Sequence, residues 1–294
     1  MKKRSQRISV LLLQIDYRGP DVDYLGKRVV DHGRKLPFLN KSLYQIGKDL
    51  RPSIDRFIAR NSLIPNTALV DTRYFPWIRM LERNWETIRD EALRIRAEDI
   101  PSLGEISREH GRIAGDRRWK SFFFEGYGYR REENRQRAPK TTALLDRIPG
   151  LVTASFSVLE AGCHIPRHVG MTKGTLVYHL GLSIPRNREA CHINIETEAG
   201  LHVHSWSDGG SLLFDDTYNH EVWNDTDEDR YILLVQMQRP CRKAARRLLR
   251  FFLFCVRHSR FVQEIKKRLD RMPTGNDAAP APGTPASVTP ASGA

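Results

Sequence analysis

The sequence predicts a mainly β protein with helical flanks, built around a double-stranded jelly roll. Three observations carry that expectation. From residue 151 onward, short strand-like segments follow one another, separated by turn residues. Helical periodicity is confined to the flanks. Two histidines, His168 and His220, lie on strand-like stretches, and Arg230 follows ten residues after the second. A barrel turns side chains from different strands into one cavity, so such residues can converge although the chain keeps them apart.

Residues 1–70 mix short apolar patches with many charges and show no clear period; they read as a small, mostly helical lead-in. The opening MKKRSQRISVLLLQID sets basic residues before a short apolar stretch, as a signal peptide does. Ser9 and Gln14 interrupt that stretch, Asp16 ends it and no small-residue cleavage site follows, which favours a first strand or a membrane-surface contact. Over residues 75–97, Ile78, Leu81, Trp85, Ile88 and Leu93 recur at helical spacing with Pro76 suited to a first turn, predicting one amphipathic helix. Residues 121–129 are aromatic-rich and predict a strand; 141–148 predict a short helix closed by Pro149 and Gly150. Strands are then expected at 151–159, 174–184, 190–197, 201–206, 210–214 and 230–238. After Pro240 comes a basic helix with Leu248, Leu249, Phe252, Cys255 and Val256 on one face and Arg242, Arg246, Arg250 and Arg257 mostly on the other. Residues 273–294 are rich in Pro, Ala, Gly and Thr, nearly uncharged, and read as a disordered tail. The expected organisation is a lead-in over 1–70, a strand-rich main domain over 71–240, a basic amphipathic helix over 241–272, and the tail.

The charge is as uneven as the structure. Residues 239–271 hold twelve Lys and Arg against two acids, which is +10 of the chain's +13. This segment lacks the interleaved aromatics and recognition motif of a nucleic-acid binder. Four scattered cysteines without a CxxC pair argue against a zinc ribbon or disulfide framework and fit a reducing compartment. No apolar run approaches the roughly 18 to 20 residues that span a bilayer. A cytoplasmic protein, with the inner membrane surface as a candidate contact, is the expectation.

Ten histidines offer many candidate ligands, but there is no HExxH, glycine-rich phosphate loop or nucleophile elbow. His202 and His204 share one face of a short polar hairpin, where exposure is expected. A pair of neutral imidazoles can hold a divalent iron and a buried arginine can clamp a carboxylate. His168, His220 and Arg230 therefore suggest an iron enzyme with an organic acid as co-substrate. On spacing alone, each histidine is equally a core or surface residue.

The runs FSVLEAGCHIPRHVG, LVYHLGLSIP and FDDTYNHEVWNDTDEDRYILLVQMQRP, with Trp206, Asp208, Gly209 and Leu212 ahead of the last, resemble the aspartyl/asparaginyl β-hydroxylase family. That family also takes in bacterial lipid A acyl-chain hydroxylases. The upstream DTRYFPWIRMLERNWETIRDEALRI and APKTTALLDRIPGL look like the lead-in of its bacterial members, so the resemblance spans about residues 71–240. It implies a cupin-like double-stranded β-helix and oxygenation driven by Fe(II), 2-oxoglutarate and O₂. By position, it implies His168 and His220 as iron ligands, Arg230 and Ser157 on the distal carboxylate of 2-oxoglutarate, His179 near the keto-side carboxylate, and Asp216 as an acid behind the iron ligands. The chemistry agrees: a buried dicarboxylate needs a fixed cation, and arginine supplies an always-charged fork.

Two positions depart from the family pattern. Gly170 stands where the common iron triad has a carboxylate, as it does in some peptide-hydroxylating members. Val177 stands where an arginine usually pairs with the keto-side carboxylate; Arg167 or Lys173 are the candidate substitutes. Gly170 points toward an Asp or Asn side chain in a polypeptide as substrate. The basic helix points toward a lipid acyl chain, since cationic side chains at an anionic bilayer contribute about 1 kcal/mol each; packed on the barrel instead, it would carry no such meaning. Val177 keeps open a non-catalytic, cupin-like binding module.

Overall fold

A computed structural model describes residues 43–107 and 117–272, with side chains from residue 50 onward. The signal-like N-terminus, much of the lead-in and the tail at 273–294 lie outside the described residues.

Among the described residues, ten strands form two antiparallel sheets. They are β1 (Trp119–Gly126), β2 (Tyr129–Arg130), β3 (Leu151–Leu159), β4 (Cys163–His168), β5 (Thr175–Ser183), β6 (Cys191–Thr197), β7 (Gly200–Ser205), β8 (Ser211–Phe214), β9 (His220–Asn224) and β10 (Arg230–Gln238). The major sheet runs β2-β1-β3-β10-β5-β8 and the minor sheet β4-β9-β6-β7. The six strands expected from the sequence all form, with bounds within a residue or so. β5 is buried along almost its whole length because both faces are covered, which is why it reads as a continuous apolar run. Tyr178 and Leu180 face a helical layer, together with Phe156, Leu233 and Val235. Val177 faces the minor sheet, where Ile193, Ile195, Val222 and Phe214 complete a second core between the sheets. This sandwich with an inner cavity is the jelly roll expected from the sequence.

The helices are α1 (Leu43–Arg60), α2 (Ile78–Arg83), α3 (Trp85–Leu93), α4 (Leu103–Ile106), α5 (Glu132–Arg137), α6 (Pro139–Leu145), α7 (Lys243–Arg257) and α8 (Arg260–Leu269). The single helix expected over 75–97 is two, α2 and α3. Asn84 between them leaves helical geometry (φ −112°) and donates its side-chain amide to the Met80 carbonyl at 2.8 Å, competing with the backbone ladder. Ile78, Leu81 and Ile88 still face the sheet, but Leu93 is exposed. The buried Glu91 carboxylate accepts from the Lys140 and Thr141 amides (2.9 and 2.7 Å), capping α6 and tying it to α3.

The strand expected over 121–129 is a hairpin of β1 and β2. Its turn places Tyr127 at φ +50° and Gly128 at +81°, the left-handed pair of a tight two-residue loop. The basic segment is a helical hairpin: α7 ends at His258, and Ser259 caps α8 by accepting from the Val262 amide. Ala245, Leu249 and Val256 are the buried stripe of α7. Among the described residues no helix is long and apolar enough to cross a membrane.

Candidate metal and carboxylate site

His220 begins β9 and faces the cavity with Val222, two residues on, as strand alternation requires. His168 is three residues beyond the cavity-facing Ile165, so in a regular strand the two would point to opposite sides. A β-bulge removes the conflict. Ile165 pairs with Val222 and His168 with His220, so three steps on β4 match two on β9. Pro166, which cannot donate to a ladder, sits in the bulge. The two rings are thereby brought to a centroid distance of 4.1 Å.

Their protonation follows from their partners. His168 Nδ1 lies 2.8 Å from the Pro166 carbonyl and His220 Nδ1 lies 2.9 Å from the Tyr218 carbonyl. A carbonyl only accepts, so each Nδ1 carries the hydrogen and each Nε2 keeps a free lone pair, the arrangement of a metal-binding imidazole. Burial holds both rings neutral: it lowers His168, and burial with the neighbouring His168 takes His220 down to about 3.

Arg230 starts β10, is 2% exposed, and faces the same cavity. Its guanidinium lies 4.6 Å over the Trp206 ring, its Nε has no hydrogen-bond partner, and among the described residues no carboxylate pairs with it. Burial lowers its pKa to about 10, so it stays a cation at neutral pH. Ser157 lies close by on β3 and accepts from Trp119 Nε1 at 3.2 Å, which leaves its own O–H to donate onward. His179 on β5 is buried, its Nδ1 unpartnered, and burial followed by the Arg230 charge drives it well below its ordinary value. Unsatisfied buried polar groups each cost about 1–3 kcal/mol, so a set sharing one cavity marks the place of a polar ligand. The cavity has a volume of about 460 Å³, ample for a small dicarboxylate and part of a second molecule.

Asp216 adds an acid. Burial, reinforced by Asp215, pushes its carboxyl up to about 7, and its Oδ1 has no partner. A Cβ placed on Gly170 would fall 2.1 Å from Asp216 Cγ. The glycine and this carboxylate therefore fill one space, and no side chain fits at 170 while Asp216 keeps its position. Asp215 beside it is structural: its Oδ2 takes Arg239 Nη2 at 2.5 Å and Lys173 Nζ at 2.9 Å, fixing the loop that leads into His220. Among the described residues no group of three His, Cys, Asp or Glu is placed to hold a metal.

All six residues singled out by sequence line the one cavity: His168, His179, His220, Arg230, Ser157 and Asp216. The two candidate substitutes for an arginine at 177 do not. Lys173 is held by Asp215, and Arg167 is exposed and paired with Glu196. Val177 leaves its part of the wall apolar. The sequence reading missed Trp119 and Trp206 as site residues; their indoles touch Ser157 and Arg230, and nothing local marks them.

The family model for aspartyl/asparaginyl β-hydroxylase matches residues 82–240. The ornithine lipid ester-linked acyl 2-hydroxylase of Rhizobium tropici is 38% identical over 183 residues, covering 62% of this chain and 64% of that protein. Human aspartyl/asparaginyl β-hydroxylase is 35% identical over 175 residues, 58% of this chain and 22% of that protein. The chain thus spans less than two thirds of the length of these relatives. Among solved structures, a Trichoplax adhaerens prolyl hydroxylase in complex with a hypoxia inducible factor peptide fragment aligns over 71% of this chain and 97% of its own, with a TM-score of 0.42 and 16% identity. The family match runs over more than half of the residues and takes in both histidines, Arg230 and the strands that carry them: this chain belongs to the aspartyl/asparaginyl β-hydroxylase family.

Proposed function

We propose that the protein is an Fe(II)- and 2-oxoglutarate-dependent dioxygenase that hydroxylates an unactivated C–H bond. The observation that carries the reading is one cavity holding two imidazoles with bare Nε2 atoms and a buried guanidinium with no carboxylate paired to it among the described residues. His168 and His220 would hold the iron through Nε2. Arg230 and the Ser157 hydroxyl would take the distal carboxylate of 2-oxoglutarate, and Trp119 and Trp206 keep those two donors aimed. His179, neutral and unpartnered, would meet the keto-side carboxylate, and Asp216 would orient water behind the iron. Iron and 2-oxoglutarate supply the oxidising power: one atom of O₂ goes to the C–H carbon and the other to the succinate formed as CO₂ is lost.

Of the two substrates named in its relatives, the acyl chain is favoured here. Phe251 and Phe254 are exposed on α7 (64% and 53%) among Lys243, Arg247 and Arg250, a cationic and apolar face suited to an anionic bilayer. A peptidyl Asp or Asn remains the competing substrate. The test is consumption of 2-oxoglutarate with and without Fe(II), in the presence of extracted lipid or peptide; iron-dependent succinate release is expected, and its absence with every substrate overturns the reading. Val177 favours one alternative, a binding module without turnover. In that case 2-oxoglutarate binds and is never consumed.

A further inference from the structure

The major sheet is the floor of the cavity, but its roof comes from two sources. The minor sheet faces β10 and β5, while β1 lies at the other side of the major sheet's inner face. There the cavity is lined by α8, through Phe261, Val262, Ile265 and Leu269. These positions, at i, i+1, i+4 and i+8, share one helix face. Beneath them the floor carries the small side chains Ser121, Thr153 and Ser155 between the larger Trp119, Phe123 and Glu125. The attachments of α8 are at its rim. Gln263 donates to the Tyr129 hydroxyl at 2.9 Å, Arg268 to the Glu105 carbonyl at 3.1 Å, and Arg131 to the Leu269 carbonyl. Glu125 on the same floor has Arg130 and Arg135 at 3.5 and 3.8 Å from its Oε2, an oxygen that makes no hydrogen bond, so the floor opposite the apolar helix face is partly polar. None of α8 lies within the residues matched by the family model.

We infer that α8 is the substrate-selecting wall of this protein: Phe261, Ile265 and Leu269 bind the distal part of an aliphatic chain whose reacting carbon lies at His168 and His220. The identity of the reacting end rests on the dioxygenase reading; the apolar contact with α8 does not. The continuity is physical, because the same cavity that holds the histidines is lined by this helix face. Each methylene taken from water strengthens binding by about fourfold. A wall of this kind therefore reads chain length, favouring longer chains until they reach its far side, where overpacking sets in.

The test uses the metal-free full chain and n-alkyl maltosides, octyl to tetradecyl, kept below their micelle concentrations. Their neutral head keeps them from docking at Arg230. Calorimetry on the wild type should show affinity rising with chain length to an optimum. Ile265→Trp should move that optimum to shorter chains and weaken the longest by at least tenfold; Leu269→Ala should move it to longer ones. The opposite signs keep the proposal testable if one variant fails to fold. Length dependence that is identical in both variants and wild type, or no alkyl binding at all, overturns the proposal. Binding of 2-oxoglutarate to Mn(II)-loaded wild type is measured separately and reports on the dioxygenase reading alone, so either idea can fail without the other.

Discussion

Under the minor sheet the cavity wall carries Arg230, His179 and Asp216, each buried and each with an unpartnered polar atom; under α8 the helix face is apolar, with Phe261, Ile265 and Leu269, and the unpartnered atoms, on Glu125 and Thr153, are on the floor opposite it. The first half is costly to fold, since isolated buried charges and orphaned donors oppose burial. The second half stabilises the fold as any apolar contact does. The contrast separates ligand demand from scaffold. Substitutions in the polar half should damage binding while sparing or even raising stability, whereas those under α8 should change what fits.

The largest effect on metal binding is expected at the histidine pair. His220→Ala leaves one imidazole, and Mn(II) affinity, read by titration, should fall about 100-fold or more, since even partners behind metal ligands cost 10–100-fold. Unchanged affinity would place the metal elsewhere and break the comparison at its root.

Asp216 tests the cost of burial directly in the metal-free protein. Its folded pKa of about 7 lies above the ordinary 3.8, so the folded chain keeps a proton that the unfolded chain releases. The sign follows: stability is at its full value below about pH 4, falls as pH rises toward 7, and is level above that. The loss is on the order of 4 kcal/mol. Asp216→Asn should abolish this part of the slope in denaturant titrations across that range. An unchanged slope means that the carboxylate is already ionised and partnered.

Arg230→Met replaces the guanidinium with an apolar side chain of similar reach. Binding of 2-oxoglutarate should weaken by about 2–4 kcal/mol, while the unliganded melting temperature holds or rises. A melting temperature lower by several degrees would show that Arg230 holds the fold together, erasing the distinction between the halves. The smallest effect is steric. Gly170→Ala drives a methyl into the Asp216 carboxylate and should cost about 1–3 kcal/mol; Asp216→Ala in the same chain should recover most of it, a coupling that a double-mutant cycle measures.

The polar half was largely legible in the sequence. Alternation along β3, β5 and β10 puts Ser157, His179 and Arg230 on their inner faces, and the histidine motifs carried the family resemblance. The bulge at Pro166 was not read, although the three-residue step from Ile165 to His168 requires one if both face inward. The half under α8 was not legible: the basic segment reads as an amphipathic helix, but periodicity says only that it has an apolar face, not what that face covers. The break at Ser259 is a local cap that the sequence reading did not use, and the seating over β1 depends on contacts with Tyr129 and Glu105, more than a hundred residues away.

What the sequence determined by itself was therefore the strand pattern, the residue types able to hold iron and a carboxylate, and the two odd positions, Gly170 and Val177. The strand pattern and the residue types are set by local periodicity and side-chain chemistry, which need no neighbours to be read; Gly170 and Val177 stand out only against the family pattern. Only the tertiary structure decided that Asp216 fills the space above Gly170, that Arg167 and Lys173 are committed to Glu196 and Asp215, that Trp206 lies against Arg230, and that α8 roofs the cavity. Each is a contact between segments far apart in the chain, fixed by close packing of the whole molecule rather than by the sequence around either partner.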